Sequence, residues 1–156
     1  MDDSRRDFIT SAGSVLAALA AAGSKAAELA PLPAPDWNHA AFEAKTLADA
    51  FKALGISTAH SGGEVDLVAP EIAEDGAVVP VVVHSRAAGT RQIHILVDKN
   101  PFSLAASFFF PEGTDAFVST RIRMNETSNV VVLAVTDRQT YMARKPVKVT
   151  IGGCGG

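Results

Sequence analysis

The chain has 156 residues, of which 47% are hydrophobic, with 14 Lys and Arg against 17 Asp and Glu for a formal net charge of −3. That is one domain's worth of chain with enough apolar residues for a core, and a sequence pI near 5.7 excludes the basic surface with which nucleic-acid binders displace counterions. One cysteine excludes an intramolecular disulfide and any cysteine-based zinc site.

The first 25 residues read as a leader. Ser4-Arg5-Arg6-Asp7-Phe8-Ile9 is followed by an alanine-dominated apolar stretch over 12–23 and then Lys25, the pattern of a twin-arginine export signal with Arg5 and Arg6 as its pair. Thr10 stands where a lysine is common. The apolar stretch is too short for a hydrocarbon core that needs about 20 residues, and no cysteine at its end offers a lipid anchor. Small residues at Ala20-Ala21-Ala22, Ser24-Lys25-Ala26 and Glu28-Leu29-Ala30 place cleavage between 22 and 30, with 1–26 taken as the signal. Cleavage there removes Arg5, Arg6, Lys25, Asp2, Asp3 and Asp7, so the net charge is unchanged. The expected destination is the periplasm, reached by a chain that folds before export.

Residues 27–35 are an Ala/Pro-rich linker, because Pro31, Pro33 and Pro35 prevent regular backbone pairing. From Asp36, a candidate N-cap, the apolar positions Ala40, Ala44, Leu47, Phe51 and Leu54 recur at spacings of three and four until Gly55 supplies a stop. The spacing predicts one amphipathic helix over 37–54. After Gly62-Gly63 the period falls to two, with turn residues at Glu74-Asp75-Gly76, Ala88-Gly89, Asn100-Pro101, Pro111-Glu112-Gly113, 125–128 and Asp137-Arg138. These bound eight candidate strands: 64–68, 77–84, 92–98, 106–110, 117–124, 129–135, 140–143 and 147–151. Ile93, Ile95 and Val97 share one face, and Val147, Val149 and Ile151 alternate with Lys148 and Thr150. Strands without intervening helices predict an all-β, immunoglobulin-like antiparallel β-sandwich over 36–151, with one N-terminal helix.

The body shows no catalytic motif. His39, His60, His84 and His94 share no metal-ligand spacing, so they read as surface or core-edge residues. Glu71, Glu74 and Asp75 cluster in a turn, where carboxylates are ordinarily solvated. Trp37, His39 and Phe42 are aromatic residues near a helix start, a pattern more often of core or interface than of a ligand site. No metal or cofactor is expected.

The tail is different. Strict alternation to Ile151 runs into Gly152-Gly153-Cys154-Gly155-Gly156, which places the one thiol between glycines. Glycine has no Cβ, so this arm over 152–156 is thin and conformationally free, and three extended residues reach about 10 Å. A lone thiol in an oxidising compartment pairs with another chain, with a sulfur compound, or climbs the oxidation ladder. A covalent use of Cys154 follows. Prenylation is excluded, since two residues follow the cysteine and the protein is expected outside the cytoplasm.

These residues resemble the SoxY family of sulfur carriers from periplasmic thiosulfate oxidation. The similarity lies in the ending Val147-Lys148-Val149-Thr150-Ile151-Gly152-Gly153-Cys154-Gly155-Gly156 and in three body segments: Ala69-Pro70-Glu71-Ile72-Ala73-Glu74-Asp75-Gly76-Ala77-Val78-Val79-Pro80, the Lys99-Asn100-Pro101 turn with Ala105-Ala106-Ser107-Phe108, and Ser119-Thr120-Arg121-Ile122-Arg123-Met124. It spans about residues 40 to 156. Asp75 and Arg123 depart from it, standing where Asn and Lys are commoner. The resemblance implies a sandwich paired with a second β-sandwich, SoxZ, and Cys154 as the site of covalent substrate attachment, passing through a cysteine persulfide. It also implies three client enzymes: a c-type cytochrome that loads thiosulfate, a hydrolase that releases sulfate, and a molybdenum–haem dehydrogenase that oxidises the remaining sulfane sulfur. The carrier itself would catalyse nothing. Two other classes are compatible with the residues alone, a periplasmic thiol redox or metal-binding protein and a non-catalytic interaction module.

Overall fold

The computed structural model describes residues 37–151, so Arg5, Arg6, the 27–35 linker, Asp36 and the arm from Gly152 to Gly156, with Gly153, Cys154 and Gly155, lie outside the described residues. The helical region is two short helices rather than the single one expected over 37–54. α1 spans His39–Phe42 and α2 spans Leu47–Ala53. Asn38 caps α1, its Oδ1 accepting the Ala41 N–H at 3.0 Å, while its Nδ2 donates to the Ala53 carbonyl at 2.9 Å and ties the two helices together.

The break has two causes. Thr46 is extended (φ −124°, ψ 155°) and caps α2 through an Asp49 N–H to Oγ1 bond of 3.1 Å. The Ala44 carbonyl is turned outward to accept the Ser103 N–H at 2.8 Å instead of bonding within a helix. The break resets the helical phase. Ala40, expected on the buried stripe, is exposed, whereas Ala41, Ala44 and Ala50 are buried. Gly55 does end the helical region, in the left-handed conformation (φ +72°) that its missing Cβ permits.

Nine strands follow among the described residues. They are β1 His60–Ser61, β2 Val65–Val68, β3 Ile72–Asp75, β4 Val79–Ser85, β5 Thr90–Val97, β6 Leu104–Phe109, β7 Phe117–Ile122, β8 Ser128–Thr136 and β9 Thr140–Ile151, with a single 3₁₀ turn, Gly76–Val78, between β3 and β4. The larger sheet runs β1-β9-β8-β5-β6 with β3 also on β9; the smaller is β2-β4-β7. This is an all-β sandwich of two sheets. It is not wholly antiparallel, because β1 and β3, neither of them expected from the sequence, both pair parallel to β9.

The two strands expected at 140–143 and 147–151 are one strand of 12 residues. Pro146 does not break it. Peptide groups alternate between the two edges of a strand, and the Lys148 N–H faces β3, so the Pro146 nitrogen faces the same edge, between the stretches that β1 and β3 occupy. A missing N–H removes no ladder bond there.

Between the sheets lie Val79, Val81 and Val83 of β4, Ile93, Ile95 and Val97 of β5, Val130, Val132 and Ala134 of β8, and Val147 of β9. A second core covers the opposite face of the larger sheet, where Leu96, Leu104, Val131 and Leu133 meet Ala41, Ala44, Ala50 and Ile56. β5 and β8 are therefore buried on both faces, which explains the unbroken apolar run of β8.

On that second face His94 is only 2% exposed, and its Nδ1 is 2.8 Å from the Oγ of Ser107, its partner across the β5–β6 pair. Burial pushes its pKa down to about 4, so the imidazole is neutral at physiological pH. The unfolded chain takes up this proton near pH 6.5 and the folded one does not, so the stability present above pH 6.5 is lost as pH falls toward 4. From this pair of values the loss should reach about 3 kcal/mol at most. Urea denaturation at pH 7 and pH 4 should show that loss in the native chain and a smaller one in a His94→Gln variant.

Candidate functional site at the end of the last strand

β9 outruns its antiparallel partner. β8 begins at Ser128, opposite Val147, so the last four residues of β9 have no strand of β8 beside them. On the other edge β3 supplies a parallel partner, with Ile72 opposite Lys148, Ala73 opposite Val149 and Asp75 opposite Ile151. The Lys148 N–H donates to the Glu71 carbonyl at 2.9 Å, and the Thr150 hydroxyl lies 3.2 Å from the Glu74 carbonyl. Ala73 is buried and seats β3 against the core. On the β8 edge a side chain fills the gap: Thr127 Oγ1 accepts the Val149 N–H at 3.0 Å and is 3.3 Å from the Val149 carbonyl.

The three body segments singled out in the sequence meet at this place. Glu74 and Asp75 lie on β3 rather than in a turn, and the Asp75 carboxylate caps the 3₁₀ turn by accepting the Ala77 N–H at 2.7 Å. The Gly76 carbonyl accepts the N–H of Met124, a buried residue just past β7, at 2.7 Å. Asn100 clamps the loop after β7 by donating from Nδ2 to the Arg123 carbonyl at 2.7 Å and accepting the Asn125 N–H on Oδ1 at 3.0 Å. The Lys99 N–H donates to Ser128 Oγ at 3.0 Å, so the same turn also anchors the start of β8. Contacts between positions 22 to 77 residues apart thus brace the strand that leads, three residues after Ile151, to Cys154. Sequence spacing does not reveal the parts played by Thr127 and Asn100, since each acts across more than 20 positions.

The other candidates fall elsewhere. His39 is on α1, His60 is in β1 opposite Tyr141, and His84 on β4 has its Nε2 3.0 Å from Asp115 Oδ1. Trp37 stacks on Phe42 at 4.3 Å, with His39 edge-on at 5.9 Å. Trp37 and Phe42 border a cavity of about 320 Å³ that also reaches Leu54, His94 and Phe109. Among the described residues no group of three His, Cys, Asp or Glu side chains is placed to hold a metal ion.

Fold and site together define a β-sandwich protein whose last strand is held on both edges as far as Val149 and on the β3 edge to Ile151, three residues before its one cysteine. The family described as sulfur oxidation protein SoxY matches residues 51–154, two thirds of the chain and including Cys154. The chain belongs to the SoxY family of sulfur carrier proteins. It is similar to the sulfur carrier protein SoxY from Chlorobium limicola f thiosulfatophilum, with 37% identity over 68% of this chain and 97% of that one and a TM-score of 0.62. A superoxide reductase (neelaredoxin) from Ignicoccus hospitalis, 18% identical over 55% of this chain and 79% of its own, shares the fold alone at a TM-score of 0.50. No curated protein matches the chain.

The Asn100 clamp replaces two backbone bonds with one side chain. Asn100→Ala should lower stability by about 1–2 kcal/mol through the loss of its two bonds, to the Arg123 carbonyl and from the Asn125 N–H, read as an earlier urea midpoint with an unchanged slope.

Proposed function

We propose that this chain is a periplasmic carrier that holds thiosulfate-derived sulfur covalently on Cys154, on an arm formed by Gly152, Gly153, Gly155 and Gly156. The observation that carries the reading is that the family similarity runs through the last strand to Cys154 itself. Arg5 and Arg6 are proposed as the twin-arginine pair that directs export of 1–26, ahead of the 27–35 linker.

The chemistry asks little of the carrier beyond a thiolate on a short tether. In loading, the Cys154 sulfur and the terminal sulfur of thiosulfate form an S–S bond; the thiol proton goes to solvent and two electrons pass to a c-type cytochrome enzyme. Hydrolysis of the resulting thiosulfonate by water then releases sulfate and leaves a cysteine persulfide. A molybdenum–haem dehydrogenase is the proposed oxidant of that remaining sulfane sulfur. Each conversion belongs to a client enzyme, and the carrier contributes attachment and delivery. A tether makes each later step a docking event between two proteins, so the reactive sulfur does not diffuse free. A SoxZ-like β-sandwich subunit is the proposed permanent partner.

Two measurements test this. Cys154→Ser should abolish the mass increase on incubation with thiosulfate and the loading enzyme while leaving the thermal midpoint unchanged, because the residue lies beyond β9; intact-mass spectrometry reads it, and loading of the Ser variant would overturn the proposal. Gly152→Val with Gly153→Val should leave alkylation of Cys154 by a small reagent unchanged and slow enzymatic loading strongly, since β-branched residues widen and stiffen the arm.

A further inference from the structure

We propose that Thr127 is a positioning residue for the carrier thiol, its hydroxyl standing in for the strand partner that Val149 lacks on its β8 edge and so setting where the strand ends. The inference rests on the carrier reading of Cys154. Continuing the β8–β9 register beyond Ser128 opposite Val147 would put residue 126 opposite Val149, but the chain bends over 125–127 and no ladder exists there. The Lys148 N–H points to β3, so the N–H and carbonyl of Val149 point to the opposite edge, toward the vacated position. One hydroxyl serves both, accepting from the N–H at 3.0 Å and donating to the carbonyl at 3.3 Å, as a residue of a neighbouring strand would.

Thr127 is exposed, so these bonds satisfy no buried group and contribute little to global stability. Their consequence is local. With Thr127 in place both edges of β9 are engaged at Val149, and Cys154 is the third residue after Ile151. Without it, 148–151 are held by β3 alone, a four-residue strand, and fraying back to Lys148 doubles the length of chain from the strand end to Cys154 from three residues to six. Effective concentration at a docking target falls roughly as the −3/2 power of tether length, so doubling it predicts about a threefold loss. The strand end also sets the direction in which the thiol leaves the sandwich.

The experiment compares the full-length chain, in complex with its partner, with Thr127→Val and Thr127→Ser. Val keeps the shape and removes the hydroxyl; Ser keeps the hydroxyl. In the Val variant the Val149 amide should exchange with deuterium at least tenfold faster, while the Val132 amide in the core is unchanged. Loading by the client enzyme should lose about threefold in kcat/KM with kcat retained, alkylation of Cys154 by a small reagent should be unchanged, and the Ser variant should restore both exchange and loading. Unchanged Val149 exchange, or native kcat/KM in the Val variant, would overturn the proposal. Cys154→Ser measured alongside separates the two readings: sulfur uptake without the thiol defeats the carrier assignment, whereas loss of uptake there with native loading in Thr127→Val defeats the positioning role alone.

Discussion

The arrangement depends on hydrogen bonding along both edges of β9. This strand takes β8 on one side over its first eight residues and β1 and then β3 on the other, and Val147, buried in the core, sits where β8 begins. A strand that runs past its partner exposes unpaired peptide groups and frays. Here β3 and Thr127 take up those groups, so order is maintained as far as Ile151. The loops that supply these contacts are held in turn by Asn100, Asp75 and the Gly76–Met124 bond.

A strand end can be held that firmly because the sheet behind it is stiff. β5 and β8 are covered on one face by the smaller sheet and on the other by the helices, so the middle of the larger sheet is closed to water on both sides. Close-packed interiors of this kind resist deformation. Placing a histidine in the second core is tolerated because its ring stays neutral and one nitrogen meets Ser107. The helices act as a lid over the sheet rather than as one continuous rod, and the Ala44 carbonyl freed by their break is a direct bond to the turn before β6.

On the proposed reading, a rigid strand end and a side-chain-free arm are complementary requirements. The enzymes that act on the bound sulfur must each admit the same thiol, which favours a thin, adaptable tether, while repeated productive docking favours a tether whose root does not wander. The neelaredoxin likeness shows that the sandwich alone does not decide the chemistry; the family assignment rests on the sequence similarity that reaches Cys154.

Alternation in β5, β7 and β9, and apolar runs bounded by turn residues elsewhere, made β2, β4 to β8 and both halves of β9 legible from the residues, although β8, buried on both faces, does not alternate. On the proposed reading, the chemistry of the tail Gly152-Gly153-Cys154-Gly155-Gly156 resides in residue types and not in contacts. Contacts distant in sequence decided the rest. β1 and β3 have no distinguishing pattern and exist as strands because β9 offers them an edge, and Pro146 is compatible with a continuous strand only because its nitrogen faces a gap. The helix broke where Thr46 and Ser103 offered better partners than the next turn did. Thr127 looks like any loop threonine until tertiary folding brings it beside Val149, 22 residues away, because a side chain acting as a strand leaves no periodicity to detect.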